Sequence, residues 1–205
     1  MFIIISGKAR RGKDTFAAIL KEELESDSEV YFPLLAFAGI IKDKLKDDFR
    51  LSNEQLYGRL KEVPDTRYPK LQFNDIDSLI QNISPIMYWT PRELMQNYGE
   101  FFRHIKPTFW VDKLLYYCND NNITHAIITD ARFPNEIDTI KKEYKVTHIR
   151  MTRSNADIIT NSHHNSEIAL DNYTDVDYIV ENEGTIEDLR TWAKKIKEEI
   201  TLDGR

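Results

Sequence analysis

A single cysteine, Cys118, stands in this 205-residue chain. That scarcity excludes an internal disulfide and any metal site built on several thiolates. Cys118 falls in an apolar run of helical spacing, where burial as a packing residue is expected. Long hydrophobic runs are missing too: no segment approaches the ~20 apolar residues that cross a bilayer, and no basic-then-apolar leader opens the chain. A cytoplasmic protein without a membrane partner is expected. Basic charge is not in excess, since 28 Lys and Arg face 34 Asp and Glu for a formal net charge of −6. That balance argues against a general nucleic-acid binder, because phosphate backbones are held by basic surfaces. No Asn-Lys-x-Asp guanine-reading tetrapeptide occurs, which counts against a GTPase. The pair His163-His164 has no third ligand cluster beside it, so zinc is not expected. His125 and His148, in or beside strands, read as structural. Glycine is scarce, at seven residues. Two of the seven fall within one short loop near the start.

That loop is Gly7-Lys8-Ala9-Arg10-Arg11-Gly12-Lys13-Asp14-Thr15. The apolar run Phe2-Ile3-Ile4-Ile5 precedes it and a helical pattern follows. Strand, glycine loop, helix is the order in which loop N–H groups and an open helix N-terminus converge on nucleotide phosphates. Gly7 and Gly12 stand where side chains would block close approach or forbid the backbone angles. Lys13 is placed to reach the β and γ phosphates. The alternative is an ordinary glycine turn before a surface helix, but both neighbours favour the phosphate loop. Where GTPase and ATPase loops put Ser or Thr directly after the lysine, this chain has Asp14 and delays the hydroxyl to Thr15. Thr15 is thus expected to take part of the phosphate or Mg²⁺ contact, and Asp14 to reach the metal only through water.

The rest of the chain alternates strands and helices. Phe16, Ile19, Leu20 and Leu24 share a helix face; Val30 to Ala38 reads as a strand ending at Gly39; Ile40, Ile41, Leu45 and Phe49 begin the next helix. Residues 51–89, interrupted by Pro64, Pro69 and Pro85, read as an insertion or lid. Thr90-Pro91-Arg92-Glu93 is a helix start with Thr at the cap and Glu three residues on. Leu94, Tyr98, Phe101, Phe102 and Ile105 form the expected apolar face of that helix. Arg92, Gln96, Gly99 and Arg103 fall in a stripe opposite, either a solvated face or a ligand-contacting one. Trp110, Val111, Leu114 and Leu115 mark another helix, Ala126–Thr129 a strand, Pro134 a helix start, Val146–Met151 and Tyr178–Val180 further strands. Thr185 caps a final helix. The pattern predicts one α/β domain over 1–205: a P-loop kinase fold, mostly parallel, with helices on both faces of the sheet and a substrate-binding insertion at 51–89.

In such a sheet ligands bind beyond the carboxyl ends of the strands, and Asp130 and Arg132 fall at one of these ends. Asp130 suits Mg²⁺ through water, or a substrate hydroxyl or base edge. Arg132 suits a bidentate phosphate grip, with Glu136 one turn on to fix its guanidinium. A salt bridge at the strand end is the structural alternative.

These residues resemble the deoxynucleoside monophosphate kinases of bacteriophages, relatives of the adenylate kinase group. The resemblance runs through ordered blocks: Ser6 to Thr15, Ala38-Gly39-Ile40-Ile41-Lys42-Asp43, Arg92-Glu93-Leu94-Met95-Gln96 through Gly99, Asp130-Ala131-Arg132 with Glu136, and His164-Asn165-Ser166-Glu167. Asn182-Glu183-Gly184-Thr185 resembles the family's closing strand and helix. The resemblance implies that the loop holds ATP and that Lys42, Arg92, Gly99, Trp110, Asp130, Arg132 and Glu136 surround the monophosphate. It also implies Arg67 as a substrate-side arginine, His164 as a substrate-loop residue, and a homodimer. Glu100 departs from the family, which often has Thr there, and residues 51–89 match it poorly.

The expected reaction passes the γ-phosphoryl of ATP, with Mg²⁺, to a deoxynucleoside 5′-monophosphate, with Lys13, Arg132 and Asp130 as the catalytic residues and Arg92, Gln96 and Lys42 on the acceptor side. The acceptor oxygen is already anionic, so the chemistry is positioning and charge neutralisation. The alternatives are a P-loop kinase of another phosphorylated metabolite, such as dephospho-coenzyme A or phosphomevalonate, and a nucleotide-dependent switch without an acceptor.

Overall fold

A computed structural model describes residues 1–70, 87–154 and 168–202. The chain divides into two compact units, residues 1–38 with 108–205, and residues 39–107.

The first unit carries a five-stranded sheet of β1 (Phe2–Ser6), β2 (Leu34–Leu35), β3 (Ala126–Ala131), β4 (Val146–Thr152) and β5 (Tyr178–Glu181). The strand order is β2-β3-β1-β4-β5, and every pairing is parallel. All five residues of β1 are buried, as a central strand covered on both faces requires. On one face Ile3 and Ile5 join Phe16 and Leu20 of α1 (Lys13–Glu25) in a single apolar cluster. Leu189, Ala193 and Ile196 of the C-terminal helix (Ile186–Leu202) complete it. Side chains alternate along a strand, so Phe2 points to the other face, where its ring meets Tyr144 edge-on at 4.5 Å. The predicted helix face Phe16, Ile19, Leu20 and Leu24 is buried as expected.

The expected strand from Val30 to Ala38 shortens to Leu34–Leu35. Pro33 lacks the N–H for a longer ladder, and α2 (Phe37–Asp48) begins two residues before Gly39. The early start has a distant cause. Both carboxylate oxygens of Asp130, at the end of β3, accept the N–H groups of Phe37 and Ala38 at 2.8 Å. They satisfy first-turn donors that would otherwise lack partners.

In residues 39–107, α3 (Asn53–Leu56) carries a complete Ser52/Gln55 capping box, and a 3₁₀ turn follows at Arg59–Glu62. Then comes α4 (Pro91–Ile105), which opens on the predicted Thr90/Glu93 box. Its apolar face differs from expectation: Phe101 and Ile105 are 60% and 65% exposed, while Gly99 is buried. A Cβ on Gly99 would lie 3.2 Å from Ile41 of α2. The helix thus turns its glycine toward α2 and leaves Phe101 and Ile105 outward. Residues 71–86, most of the second half of the expected insertion, lie outside the described residues.

The first unit also contains α5 (Phe109–Asp120) and α6 (Pro134–Lys141), with α7 as the C-terminal helix. Cys118 in α5 is fully buried, and burial pushes its thiol up to about 11. It is an inert packing residue.

Candidate active site

β1 lies between β3 and β4, and the loop after it opens at the carboxyl end of the sheet. Its shape follows from two glycines. Gly7 has φ +143° and Gly12 φ +86°. A Cβ on Gly7 would stand 2.5 Å from the Met151 carbonyl oxygen, and one on Gly12 would stand 2.3 Å from Nδ2 of Asn182. Neither position admits a side chain without displacing its neighbour. Arg10 also takes a left-handed angle, φ 60°, so the chain coils tightly between the two glycines. Such alternation turns successive N–H groups toward a common point. Gly12 caps α1 without a side-chain hydrogen bond, and that helix end is accordingly built to meet an anion.

Lys13 folds back over the loop: its Nζ donates to the carbonyl oxygens of Gly7 at 2.7 Å and Lys8 at 2.8 Å. The ammonium is thereby held over the concavity. Asp14 and Thr15 follow in the exposed first turn of α1.

A cavity of about 270 Å³ adjoins the loop, lined in part by Ser6, Gly7, Lys8, Arg11, Arg132 and Arg150. Among the described residues its lining holds four cationic side chains and one carboxylate, Asp171, which pairs with Lys8 at 2.9 Å. Such a lining selects for a polyanion. The Arg150 guanidinium donates to the carbonyl oxygens of Leu170 and Tyr173 at 3.0 and 2.6 Å, tying that segment to β4.

Asp130 and Arg132 come to the strand end as the sequence predicted, but Asp130 is more committed than expected. Its two oxygens hold the start of α2, and burial raises its pKa while those backbone N–H groups, Arg132 and Lys13 oppose the rise. Glu136, buried in α6, accepts the backbone N–H groups of Arg132 and Phe133 at 2.7 and 3.1 Å. It thus fixes the main chain from which the Arg132 side chain departs. Trp110 is buried, its ring edge-on to Phe109 at 4.9 Å.

The remaining predicted residues belong to 39–107. Lys42 lies over the Tyr57 ring, 3.9 Å from its centroid. Arg92 pairs with Glu62, Gln96 is exposed on α4, and Gly99 faces Ile41. Arg67 grips Asp65 through Nε and Nη2, and that guanidinium, opposed by burial, holds the Asp65 carboxyl at about 2. His164 lies outside the described residues.

One residue of the loop's surroundings escaped the sequence reading: Asn182, whose Nδ2 donates to the Arg11 carbonyl oxygen at 3.1 Å and so clamps the loop from the end of β5. The Asn-Glu-Gly-Thr signature held the signal for Asn182, read only as a strand end.

Among the described residues no group of three or more His, Cys, Asp or Glu is arranged to hold a metal. The first turn of α1, directly after Lys13, presents one carboxylate and one hydroxyl, Asp14 and Thr15. That set fits Mg²⁺, which keeps several waters and shares phosphate oxygens with its ligands, and does not fit zinc.

The model of the deoxynucleotide monophosphate kinase family matches residues 53–193 of the chain. A protein of Acanthamoeba polyphaga mimivirus, provisionally named a deoxynucleotide monophosphate kinase, is 30% identical over 196 residues, or 92% of this chain and 91% of that protein. Among solved structures, a dephospho-CoA kinase from Campylobacter jejuni is 16% identical with a TM-score of 0.46, covering 100% of this chain and 98% of that one. A shikimate kinase from Aquifex aeolicus is 12% identical with a TM-score of 0.46, covering 98% and 99%. No helix of the described residues is long and apolar enough to cross a membrane.

Proposed function

Because the chain belongs to the deoxynucleotide monophosphate kinase family, and is therefore a phosphotransferase acting on a nucleoside monophosphate, we propose that ATP is its donor, held by Gly7–Thr15. The acceptor is a deoxynucleoside 5′-monophosphate and the products are ADP and the diphosphate. What supports the donor side is the loop itself: two glycines without room for a Cβ, an open helix end, and Lys13 folded onto the Gly7 and Lys8 carbonyls.

In this reading the loop N–H groups take the β-phosphate, and Lys13 exchanges its carbonyl partners for β and γ oxygens, following charge onto the bridging oxygen as the bond breaks. Asp14, through water, and Thr15 hold Mg²⁺, which when bound neutralises charge on the phosphate oxygens. Arg132 grips the transferring group or the acceptor phosphate with its planar fork, oriented by the bonds of Glu136 to its backbone. The acceptor phosphate is already anionic, so no side chain has to take a proton. Each Asp130 oxygen accepts one backbone bond and retains a further lone pair for water or a substrate hydroxyl. On the acceptor side the binding groups are Lys42, Arg67, Arg92, Gln96, Gly99, Trp110 and His164. Arg67 is preset by Asp65 through Nε and Nη2 and by the Arg50 carbonyl oxygen, which accepts from Nη1 at 3.3 Å; the second N–H of Nη1 is the donor offered to a phosphate. The reading extends to a homodimer in the cytoplasm, the host's if the source is viral, with small nucleotides as its partners.

Replacing Lys13 with Ala tests this. ADP release coupled to a monophosphate acceptor should fall by at least about 100-fold while the circular dichroism spectrum is retained. Turnover above about a tenth of wild type would overturn the loop assignment.

A further inference from the structure

Ser6 and His148 are both fully buried, and neither has a part in the reaction as set out above. His148 Nδ1 lies 2.9 Å from the carbonyl oxygen of Asp175, and Nε2 lies 2.7 Å from Oγ of Ser6. A carbonyl only accepts, so Nδ1 carries the ring proton. Burial, with Arg150 and Lys141 nearby, lowers the imidazole pKa and favours the neutral ring, against the Asp175 carbonyl and Asp177. Nε2 is then a bare acceptor, and the Ser6 hydroxyl donates to it.

Ser6 is the residue from which the phosphate loop springs. On the β3 side its pairing is irregular, with the register shifting between Ile4 and Ser6. On the β4 side it remains in register opposite Arg150. The next residue, Gly7, supplies the carbonyl on which the Lys13 ammonium rests at 2.7 Å, and Ser6 itself lines the cationic cavity. A line of contacts therefore runs from the imidazole through Ser6 and Gly7 to Lys13.

We propose that His148 is a positioning residue for phosphoryl transfer: by accepting the Ser6 hydroxyl it fixes the base of the phosphate loop, and so the Gly7 carbonyl and Lys13, and sets the affinity for the donor nucleotide. The proposal rests on the assignment of the loop to ATP. The competing role for His148 is to tie β4 to the segment before β5, through the Asp175 carbonyl and through the bond of its own N–H to the Asp177 carboxylate at 2.7 Å. The two roles use different ring nitrogens, so two substitutions separate them. His148→Asn keeps a donor near Nδ1 and removes the acceptor at Nε2. His148→Gln keeps an acceptor at the reach of Nε2 and removes the donor at Nδ1.

The experiment measures KM for ATP, KM for the monophosphate, kcat and melting temperature in both variants, in Ser6→Ala, and in Ser6→Ala combined with His148→Asn. The ATP KM should rise about tenfold in His148→Asn and in Ser6→Ala, and no further in their combination, the mark of one shared interaction. His148→Gln should stay within about threefold of wild type, with the monophosphate KM unchanged throughout. The reverse order, with His148→Gln impaired and His148→Asn intact, overturns the proposal in favour of the strap. An unchanged ATP KM in Ser6→Ala overturns it as well, and decides the matter if the His148 variants do not fold. Lys13→Ala, run beside them, keeps the two readings apart: its retention of turnover would sink the loop assignment, whereas its loss with unaltered Ser6 and His148 variants would sink only the positioning role.

Discussion

Replacing Gly7 with Ala should damage stability and nucleotide binding together. The residue sits at φ +143°, a region almost reserved for glycine, where a side chain costs on the order of 1–3 kcal/mol. The added Cβ would also lie 2.5 Å from the Met151 carbonyl oxygen. That oxygen belongs to β4, which is hydrogen-bonded to both β1 and β5, so it cannot step aside as a flexible side chain would. Forcing the two apart adds about 1–2 kcal/mol. The sum, about 2–5 kcal/mol, corresponds to a melting temperature lowered by roughly 4–20 °C in a chain of this size. Gly39→Ala is the matched control. Nothing lies within 4 Å of its Cβ position, the residue is helical, and Ala there should stabilise by about 0.5–1 kcal/mol. Thermal unfolding followed by circular dichroism, with ATP KM measured on the same samples, reads both. If Gly7→Ala melted within about 1 °C of wild type and kept its ATP KM, the left-handed turn at the loop entrance would not exist and the cradle argument would fail.

Arg132→Lys keeps the charge but loses the planar fork, so the monophosphate KM should rise by about tenfold with ATP affinity little changed; a change confined to ATP would mean the two sites are assigned the wrong way round. Asn182→Ala removes the clamp on the Arg11 carbonyl and should raise the ATP KM by about three- to tenfold, measured in the coupled assay; an unchanged value would show that the loop holds itself. The Asp65 carboxyl is held at about 2 against an ordinary 3.8, chiefly by Arg67. Stability from this depressed pKa is present above 3.8 and is lost as pH falls toward 2. Discounted because Arg67 is half exposed, it amounts to about 1–2 kcal/mol. Melting curves across that window should be flatter in Asp65→Asn than in wild type, and parallel curves would contradict the ion pair.

What the sequence disclosed depended on whether the cause was local. The strand, glycine turn and helix of residues 2–25 were legible because a glycine spacing, a lysine and two flanking elements lie within about fifteen residues. The Thr90 helix start was legible for the same reason. Asp130 was recognised by its place at a strand end, but its bonds to Phe37 and Ala38 cross more than ninety residues. No periodicity announces them, so the start of α2 was misplaced. The burial of Gly99 in α4 was not legible either, because its neighbour Ile41, 3.2 Å from where a Cβ would stand, comes from another helix. His148 looked structural because its strand is apolar. Its meaning depends on Ser6, which tertiary folding brings within 2.7 Å. Asn182 was invisible as a loop partner because it reaches Arg11 from the end of the last parallel strand, across more than 170 residues.

A panel of the common deoxynucleoside and ribonucleoside monophosphates, each assayed for ADP release with ATP as donor, tests the central claim most directly. The account predicts saturable, ATP-dependent turnover with at least one deoxynucleoside monophosphate, and none with the corresponding diphosphates. Turnover with another phosphorylated metabolite, and with no monophosphate on the panel, would contradict it.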